Sequence, residues 1–137
     1  MTITGKTKQL AVIGYPADHS FSPLLHNFIS DYLQLDYTYS AFTVAPDKLQ
    51  DAIRGIRALG ICGINVTAPH KIEVMKYLDV ISPEAQILGS VNTIVNRNGK
   101  LKGYNTDFYG FRYMLLQNDI DVKGKKVLVL GKGGASK

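Results

Sequence analysis

The residues best suited to chemistry lie at positions 65–71, Asn-Val-Thr-Ala-Pro-His-Lys. They follow an apolar run at 61–66 that is typical of a buried strand, and Pro69 then begins a segment with helical spacing. Lys71 is therefore expected just after a strand and close to a helix N-terminus, where open α/β sheets place their ligands. Because the helix dipole disfavours a cation at that end, the lysine is better suited to serve a site than to stabilise the helix.

Three further loops carry polar side chains and mostly follow predicted strands, at positions 20–22, 89–93 and 103–107. Because the carboxyl ends of parallel strands converge on one edge of a sheet, these loops are expected to line one pocket. Hydroxyls, amides, one amine and one carboxylate suit a small, polyhydroxylated anion. The candidate binding residues are Ser20, Ser22, Asn65, Thr67, Lys71, Asn92 and Asp107.

Each of these residues also has a purely structural interpretation. Ser22 precedes a proline and Asp107 begins an apolar-periodic segment, so both could be helix caps. Thr67 could cap the segment after it, and Asn92 could hydrogen-bond its own backbone. Lys71 could be a solvated surface residue, which is the default for an isolated lysine. Taken together, these interpretations explain less well why polar residues concentrate at one sheet edge.

Charge and composition exclude several classes of protein. The chain has 137 residues and a net charge of +5, but residues 1–122 hold as many acidic as basic groups, so the surplus lies in the last fifteen residues. A short lysine-rich end does not indicate a nucleic-acid binder. No apolar run approaches a membrane span and the start of the chain lacks a signal core, so we expect a cytoplasmic protein with no membrane partner.

Cysteine and histidine usage excludes two kinds of stabilising centre. Cys62 is the single cysteine of the sequence, which excludes an internal disulfide. His19, His26 and His70 have no metal-ligand spacing with one another or with Cys62. We therefore assign no metal.

Strands and helices alternate along the sequence. We predict strands at 9–14, 37–44, 61–66, 91–96, 100–104 and 125–131, and helices at 22–33, 46–59, from 69 onward, 82–88 and 105–115. Asn98-Gly99 predicts a hairpin between the fourth and fifth strands. This order predicts an α/β fold, a three-layer, mostly parallel sheet with one antiparallel hairpin strand and helices on both faces.

Several motifs together carry a resemblance to a known family. In chain order they are Gly14-Tyr15-Pro16, His19-Ser20-Phe21-Ser22-Pro23, His26-Asn27, the nine residues 63–71, Gly89-Ser90-Val91-Asn92-Thr93 and Asn105-Thr106-Asp107. The sequence resembles shikimate dehydrogenase along essentially all of its length. The resemblance implies NADP-dependent interconversion of 3-dehydroshikimate and shikimate in aromatic amino acid biosynthesis. It also implies an N-terminal substrate domain, a C-terminal Rossmann domain, and an active site between them.

The resemblance assigns roles to the candidate residues. Ser20 and Ser22 would hold the substrate carboxylate, whereas Asn65, Thr67, Asn92 and Asp107 would bind ring hydroxyls, and Lys71 and Asp107 would be the catalytic pair. Ketone reduction needs a proton on the developing alkoxide, and a positioned acid contributes about 10²–10⁴-fold to such a step. Partial burial can lower the pKa of a lysine, while a nearby carboxylate opposes that shift and orients the amine.

The last residues resemble the start of the NADP-binding domain, with Gly131, Gly133, Gly134 and Ala135 as the cofactor-binding residues of an incomplete site. The family usually has alanine where this sequence has Lys132. We therefore divide the chain into a substrate-binding and catalytic domain, 1–118, and a linker with the first Rossmann strand and glycine loop, 119–137.

Three expectations follow from that division. The 137-residue chain alone is expected to bind shikimate-like ligands without transferring a hydride. A relative that also accepts quinate remains an alternative. The segment from about residue 118 is expected to be disordered or to pair with another chain, for example in a homodimer formed through the strand at 125–131.

Overall fold

Six strands form one sheet in the computed structural model, which describes residues 2–131, 133 and 134. They are β1 (Lys8–Gly14), β2 (Tyr37–Thr43), β3 (Gly63–Val66), β4 (Val80–Ile81), β5 (Thr93–Arg97) and β6 (Lys100–Tyr104), in the sheet order β2-β1-β3-β5-β6-β4. β1 pairs in parallel with β2 and β3, and β4 pairs in parallel with β6. β5 alone runs antiparallel to its neighbours. The predicted mostly parallel sheet with one antiparallel strand is confirmed.

Helices lie on both faces of this sheet, as expected. They are α1 (Ser22–Tyr32), α2 (Leu49–Ala58), α3 (Pro83–Leu88) and α4 (Asp107–Gln117), with 3₁₀ helices at Pro46–Lys48 and Glu73–Tyr77. α2, α3 and the second 3₁₀ helix cover one face and enclose the core, whereas α1 packs on β2 from the opposite face. The core residues include Ala11, Ile13, Ile53, Ile56, Ile64, Val66, Ile94 and Leu101.

The helix predicted to follow Pro69 is wrong as an α-helix. Residues 68–72 form turns, and the five residues Glu73–Tyr77 form a 3₁₀ helix. Leu78 is then extended, with φ −97° and ψ 150°, and leads into β4, a two-residue strand that the sequence did not predict. One α-helical hydrogen bond forms, from the Val74 N–H to the His70 carbonyl at 2.9 Å, but the chain then turns to pair with β6 before an α-helix can continue. Lys71 therefore lies in a turn, and the dipole argument does not apply to it.

The apolar side of α1 faces away from the sheet. Leu24 is 65% exposed and Phe28 is 66% exposed, whereas Ser30 is 6% exposed. The polar side instead faces β2, because the side-chain amide of Asn27 both donates to the carbonyl of Tyr39 and accepts from its N–H, each at 2.9 Å. These two hydrogen bonds of Asn27 thus hold the polar side of the helix against the sheet.

The strand predicted at 125–131 is wrong in this structure. These residues have no strand pairing, and Leu128 and Leu130 are more than four-fifths exposed. A strand requires a neighbouring strand edge, and none lies beside this segment in the part of the chain that the structure describes. The expectation that the segment from about residue 118 is disordered or pairs with another chain stays a prediction. Near its end, the Gly134 carbonyl accepts a 2.9 Å hydrogen bond from the Ser90 hydroxyl.

No helix in residues 2–131 has both the length and the apolar character that crossing a membrane would require.

Candidate active site

A pocket of about 310 Å³ opens at the sheet edge where β1 and β3 end and β5 begins. All seven predicted binding residues line it, although they come from four separate loops. This convergence follows from the topology, because the carboxyl ends of β1, β3 and β6 and the amino end of the antiparallel β5 meet at one edge. The pocket is also lined by Val12, Pro16, Ala17, His19, His26 and Val66.

Lys71 and Asp107 form an ion pair in this pocket. The Lys71 Nζ donates to Asp107 Oδ2 at 2.7 Å, and the lysine side chain is 18% exposed. The turn that carries Lys71 is tied to the next loop, because the Val91 N–H donates to the Lys71 carbonyl at 2.8 Å. An ion pair at this distance fixes the ammonium group at the wall of the pocket, so Lys71 is not a solvated surface lysine.

Asn105, rather than Asp107, caps α4. Its side-chain oxygen accepts from the N–H groups of Asp107 at 3.0 Å and Phe108 at 3.3 Å. Asn105 is itself buried, and its amide nitrogen donates to the Ser90 carbonyl and hydroxyl. The interpretation of Asp107 as a cap is therefore wrong, and its carboxylate is directed to Lys71 instead.

Asn92 holds the other oxygen of the Asp107 carboxylate. Its amide nitrogen donates to Asp107 Oδ1 at 2.8 Å and to the Thr106 hydroxyl at 2.9 Å. Its side-chain oxygen accepts from the Thr106 N–H at 2.9 Å. Asn92 thus bonds across to the start of α4 and not to its own backbone. With Lys71 on one oxygen and Asn92 on the other, the carboxylate has a fixed orientation.

The two serines sit at the opposite wall, where α1 begins. The Ser20 hydroxyl accepts from the Ser22 N–H at 3.3 Å. Ser22 is the first residue of α1 and makes no side-chain capping bond, so its interpretation as the N-cap is wrong. Both hydroxyl groups line the pocket.

Two loops approach each other closely beside the pocket. A Cβ at Gly14 would clash with Cγ2 of Thr67, so a glycine lets the first loop pass the Thr67 loop. The Thr67 N–H donates to the Ile13 carbonyl at 2.9 Å. Thr67 is therefore held against the end of β1.

A match to a known protein family agrees with this geometry. Residues 12–94 match the family described as the shikimate dehydrogenase substrate binding domain. The chain belongs to this family. The match covers the loops that carry Ser20, Ser22, Asn65, Thr67, Lys71 and Asn92.

Known relatives extend the similarity along the whole chain. A shikimate dehydrogenase (NADP(+)) of Caldanaerobacter subterraneus is 52% identical over 137 residues, which are 100% of this chain and 49% of that protein. A crystal structure of a shikimate dehydrogenase in complex with NADP+ is 50% identical, with a TM-score of 0.92, over 98% of this chain and 47% of that one. The Listeria monocytogenes enzyme in complex with shikimate and NAD is 43% identical, with a TM-score of 0.89, over 99% of this chain and 47% of that one. The chain thus spans about half the length of these relatives.

The predicted cofactor residues do not by themselves form a dinucleotide site in this substrate binding domain. Ala135 and the unusual Lys132 lie outside the described residues. The described glycines, at 131, 133 and 134, follow no strand, whereas a dinucleotide site needs a strand that leads through a glycine turn into a helix N-terminus. Gly134 instead lies against the catalytic candidate, since a Cβ there would be 2.9 Å from the Cβ of Lys71.

His19 and His26 are the two titratable lining residues that were not among the predicted site residues. His26 follows Ser22 by one helical turn, so the spacing i, i+4 from a predicted site residue could have indicated it. In the described residues no group of three His, Cys, Asp or Glu side chains has a geometry that could hold a metal ion.

Proposed function

We propose that this chain is the substrate-binding and acid–base half of a cytoplasmic shikimate dehydrogenase, which interconverts 3-dehydroshikimate and shikimate in aromatic amino acid biosynthesis. The observation that carries the proposal is the Lys71–Asp107 ion pair, 2.7 Å long, in a polar pocket lined by all seven predicted residues. Within this assignment, residues 1–118 are the substrate-binding and catalytic domain and residues 119–137 begin the next domain.

Lys71 is the proposed proton donor and acceptor. During reduction of the ketone, negative charge develops on its oxygen, and the ammonium group of Lys71 donates a proton to that oxygen. In the reverse direction the neutral amine accepts the hydroxyl proton. Asp107 keeps the amine directed into the pocket through its hydrogen bond to Nζ and accepts from a neighbouring substrate hydroxyl.

The remaining residues offer hydroxyl and amide groups to the carboxylate and ring hydroxyls of shikimate. The Ser20 hydroxyl donates to the substrate carboxylate, and the Ser22 hydroxyl does so when it turns from Tyr39, with which it is hydrogen-bonded in the ligand-free chain. Asn65, Thr67 and Asn92 bind the ring hydroxyls. Reduction also requires a hydride donor, and the NADP(+) in the relatives' names supports NADP as the cofactor of the whole protein.

Isothermal titration of the 137-residue chain with shikimate tests the proposal, alongside a spectrophotometric assay of NADP reduction. We expect saturable binding of shikimate and no NADP reduction by this chain alone. The Ser22→Ala variant should weaken binding of shikimate but not that of an analogue in which the carboxylate is replaced by hydrogen. Absence of shikimate binding would contradict the substrate assignment, and sustained NADP reduction would contradict the division of labour.

A further inference from the structure

A buried tyrosine outside the pocket lining contacts one of the proposed substrate residues. Tyr39 of β2 is 4% exposed, and its hydroxyl donates to Asn65 Oδ1 at 2.7 Å. Its ring stacks on the His26 ring, with centroids 4.3 Å apart and an interplanar angle of 6°. Since Asn27 holds both backbone polar groups of Tyr39, the position of this phenol is fixed from three sides.

The hydroxyl of Tyr39 acts as a hydrogen-bond donor to Asn65. Burial raises the pKa of Tyr39 to about 12, and a hydrogen bond with the Ser22 side chain partly opposes that shift. The group is therefore protonated throughout the neutral range. A hydroxyl has one proton to give, and here that proton is directed at Asn65.

From Asn65 a directed series of hydrogen bonds continues to the catalytic carboxylate. The Asn65 amide nitrogen donates to the Thr93 hydroxyl at 3.2 Å, and that hydroxyl donates to the Asn92 side-chain oxygen at 3.0 Å. The Asn92 amide nitrogen then donates to Asp107 Oδ1 at 2.8 Å. Every donor in the series points from Tyr39 towards Asp107.

We propose that Tyr39 is a positioning residue that fixes the Asn65 amide for substrate and, through Asn65, directs the Thr93 hydroxyl proton to Asn92, whose own orientation is also held by the Thr106 N–H. The inference rests on the proposed function. With Tyr39 donating, Asn65 must present its oxygen to the phenol and its nitrogen to Thr93. Without that donor, only a long bond of 3.5 Å from the Asn65 amide nitrogen to the Asn92 carbonyl opposes a 180° rotation of the amide. After such a rotation the Asn65 oxygen competes with Asn92 for the Thr93 hydroxyl proton.

The test compares Tyr39→Phe, which removes the hydroxyl and keeps the ring, with Tyr37→Phe, which removes a hydroxyl two residues earlier on the same strand. The first readout is the side-chain amide resonances of asparagines in ¹⁵N NMR of the ligand-free chain. Tyr39→Phe should shift the resonances of Asn65 and Asn92, which are in the series, and leave that of the buried Asn105 in place. Tyr37→Phe should shift none of the three. Unchanged Asn65 and Asn92 resonances in Tyr39→Phe would overturn the inference.

The second readout is shikimate affinity by calorimetry. Tyr39→Phe should weaken binding about tenfold, as expected for one lost hydrogen bond in the site. Thr93 is connected to Tyr39 only through Asn65. In a double-mutant cycle of Tyr39→Phe with Thr93→Val, the losses of binding free energy should therefore be non-additive, whereas a purely structural role of the tyrosine gives additive losses. Additivity would overturn the inference.

The two proposals fail in different ways. If wild-type chain does not bind shikimate but Tyr39→Phe moves the Asn65 and Asn92 resonances, the positioning role holds and the substrate assignment is wrong. If shikimate binds and Tyr39→Phe behaves like Tyr37→Phe in both readouts, the substrate assignment holds and the positioning role is wrong.

Discussion

Two helices of nearly equal length, α2 and α4, are used in opposite ways. α2 has 10 residues and buries Leu49, Ile53 and Ile56 in the core. α4 has 11 residues and buries none, although it carries Phe111 and Tyr113 among other large apolar side chains. Only its first residue, Asp107, belongs to the pocket. In this chain, then, one helix contributes its side chains to the core and the other contributes the proposed catalytic group to the pocket, with little overlap.

The strongest challenge to this comparison is a pair of truncations. Ile53→Ala should lower the free energy of unfolding by about 2–5 kcal/mol, because it leaves a cavity in the core. Phe111→Ala should change it by no more than about 0.5 kcal/mol, because the side chain is largely exposed. Urea denaturation of both variants measures the difference. Equal losses would show that α4 is packed in solution and that the contrast is wrong.

In a protein that also contains the cofactor-binding part, removal of the proposed acid should greatly lower turnover and leave substrate binding nearly unchanged. Lys71→Ala should lower turnover by about 10²–10⁴-fold and change the affinity for shikimate little. Steady-state kinetics separates kcat from KM. Near-normal turnover would remove Lys71 from the mechanism.

Substitutions in the first turn of α4 should weaken shikimate binding, whereas substitutions elsewhere in or after the helix should not. Asp107→Asn removes the charge that pairs with Lys71 and should weaken shikimate binding about tenfold or more, the scale of a hydrogen bond to a charged group. Asp119→Asn, beyond the end of α4, is the matched control and should leave affinity unchanged. Calorimetry distinguishes them, and a similar loss in both would point to a general charge effect.

Tyr39 is buried on β2, in contrast to the exposed side chains of α4, and its burial should make the stability of the chain depend on pH above neutrality. Because the pKa of Tyr39 is raised from 10.0 to about 12 when folded, the unfolded chain loses this proton first as pH rises. The contribution of this group to the free energy of unfolding is complete below pH 10, and about 3 kcal/mol of it is lost between about pH 10 and 12. Denaturant titrations should show this decline in wild type and a shallower one in Tyr39→Phe. Parallel curves would contradict the raised pKa.

The smallest effect on folding should come from the segment after α4. A chain ending at residue 118 should unfold with a free energy within about 1 kcal/mol of the full chain, because residues 127–130 are exposed. Urea denaturation of the two chains measures the difference.

We also propose that the segment after α4 can pair with the same segment of a second copy. Sedimentation should then show concentration-dependent dimers of residues 1–137 that are absent for residues 1–118, and a monomer at all concentrations would rule out that pairing.

Much of this molecule could be predicted from local patterns. Apolar runs and glycine or proline boundaries identified five strands of the sheet, and the parallel topology was enough to bring seven separated polar residues to one edge. The hairpin signal at Asn98-Gly99 correctly placed β5 and β6 side by side.

What could not be predicted depends on contacts between distant residues. Apolar periodicity identified α1 but not its orientation, which is set by the bonds of Asn27 to Tyr39 across twelve residues. Asn105 and Asp107 are both residue types that can cap a helix, so the sequence alone does not say which one caps α4. In the structure Asn105 is the cap and Asp107 pairs with Lys71, a contact between distant residues. β4 has two residues and exists only because β6 is beside it.

The ion pair between Lys71 and Asp107 joins residues 36 positions apart. The walls of the pocket therefore come from both ends of a long stretch of chain, from the loop at Ser20 to the first turn of α4. A chain that is still being synthesised has no complete pocket until position 107 has been translated, so ligand affinity is gained only with the last fifth of this sequence.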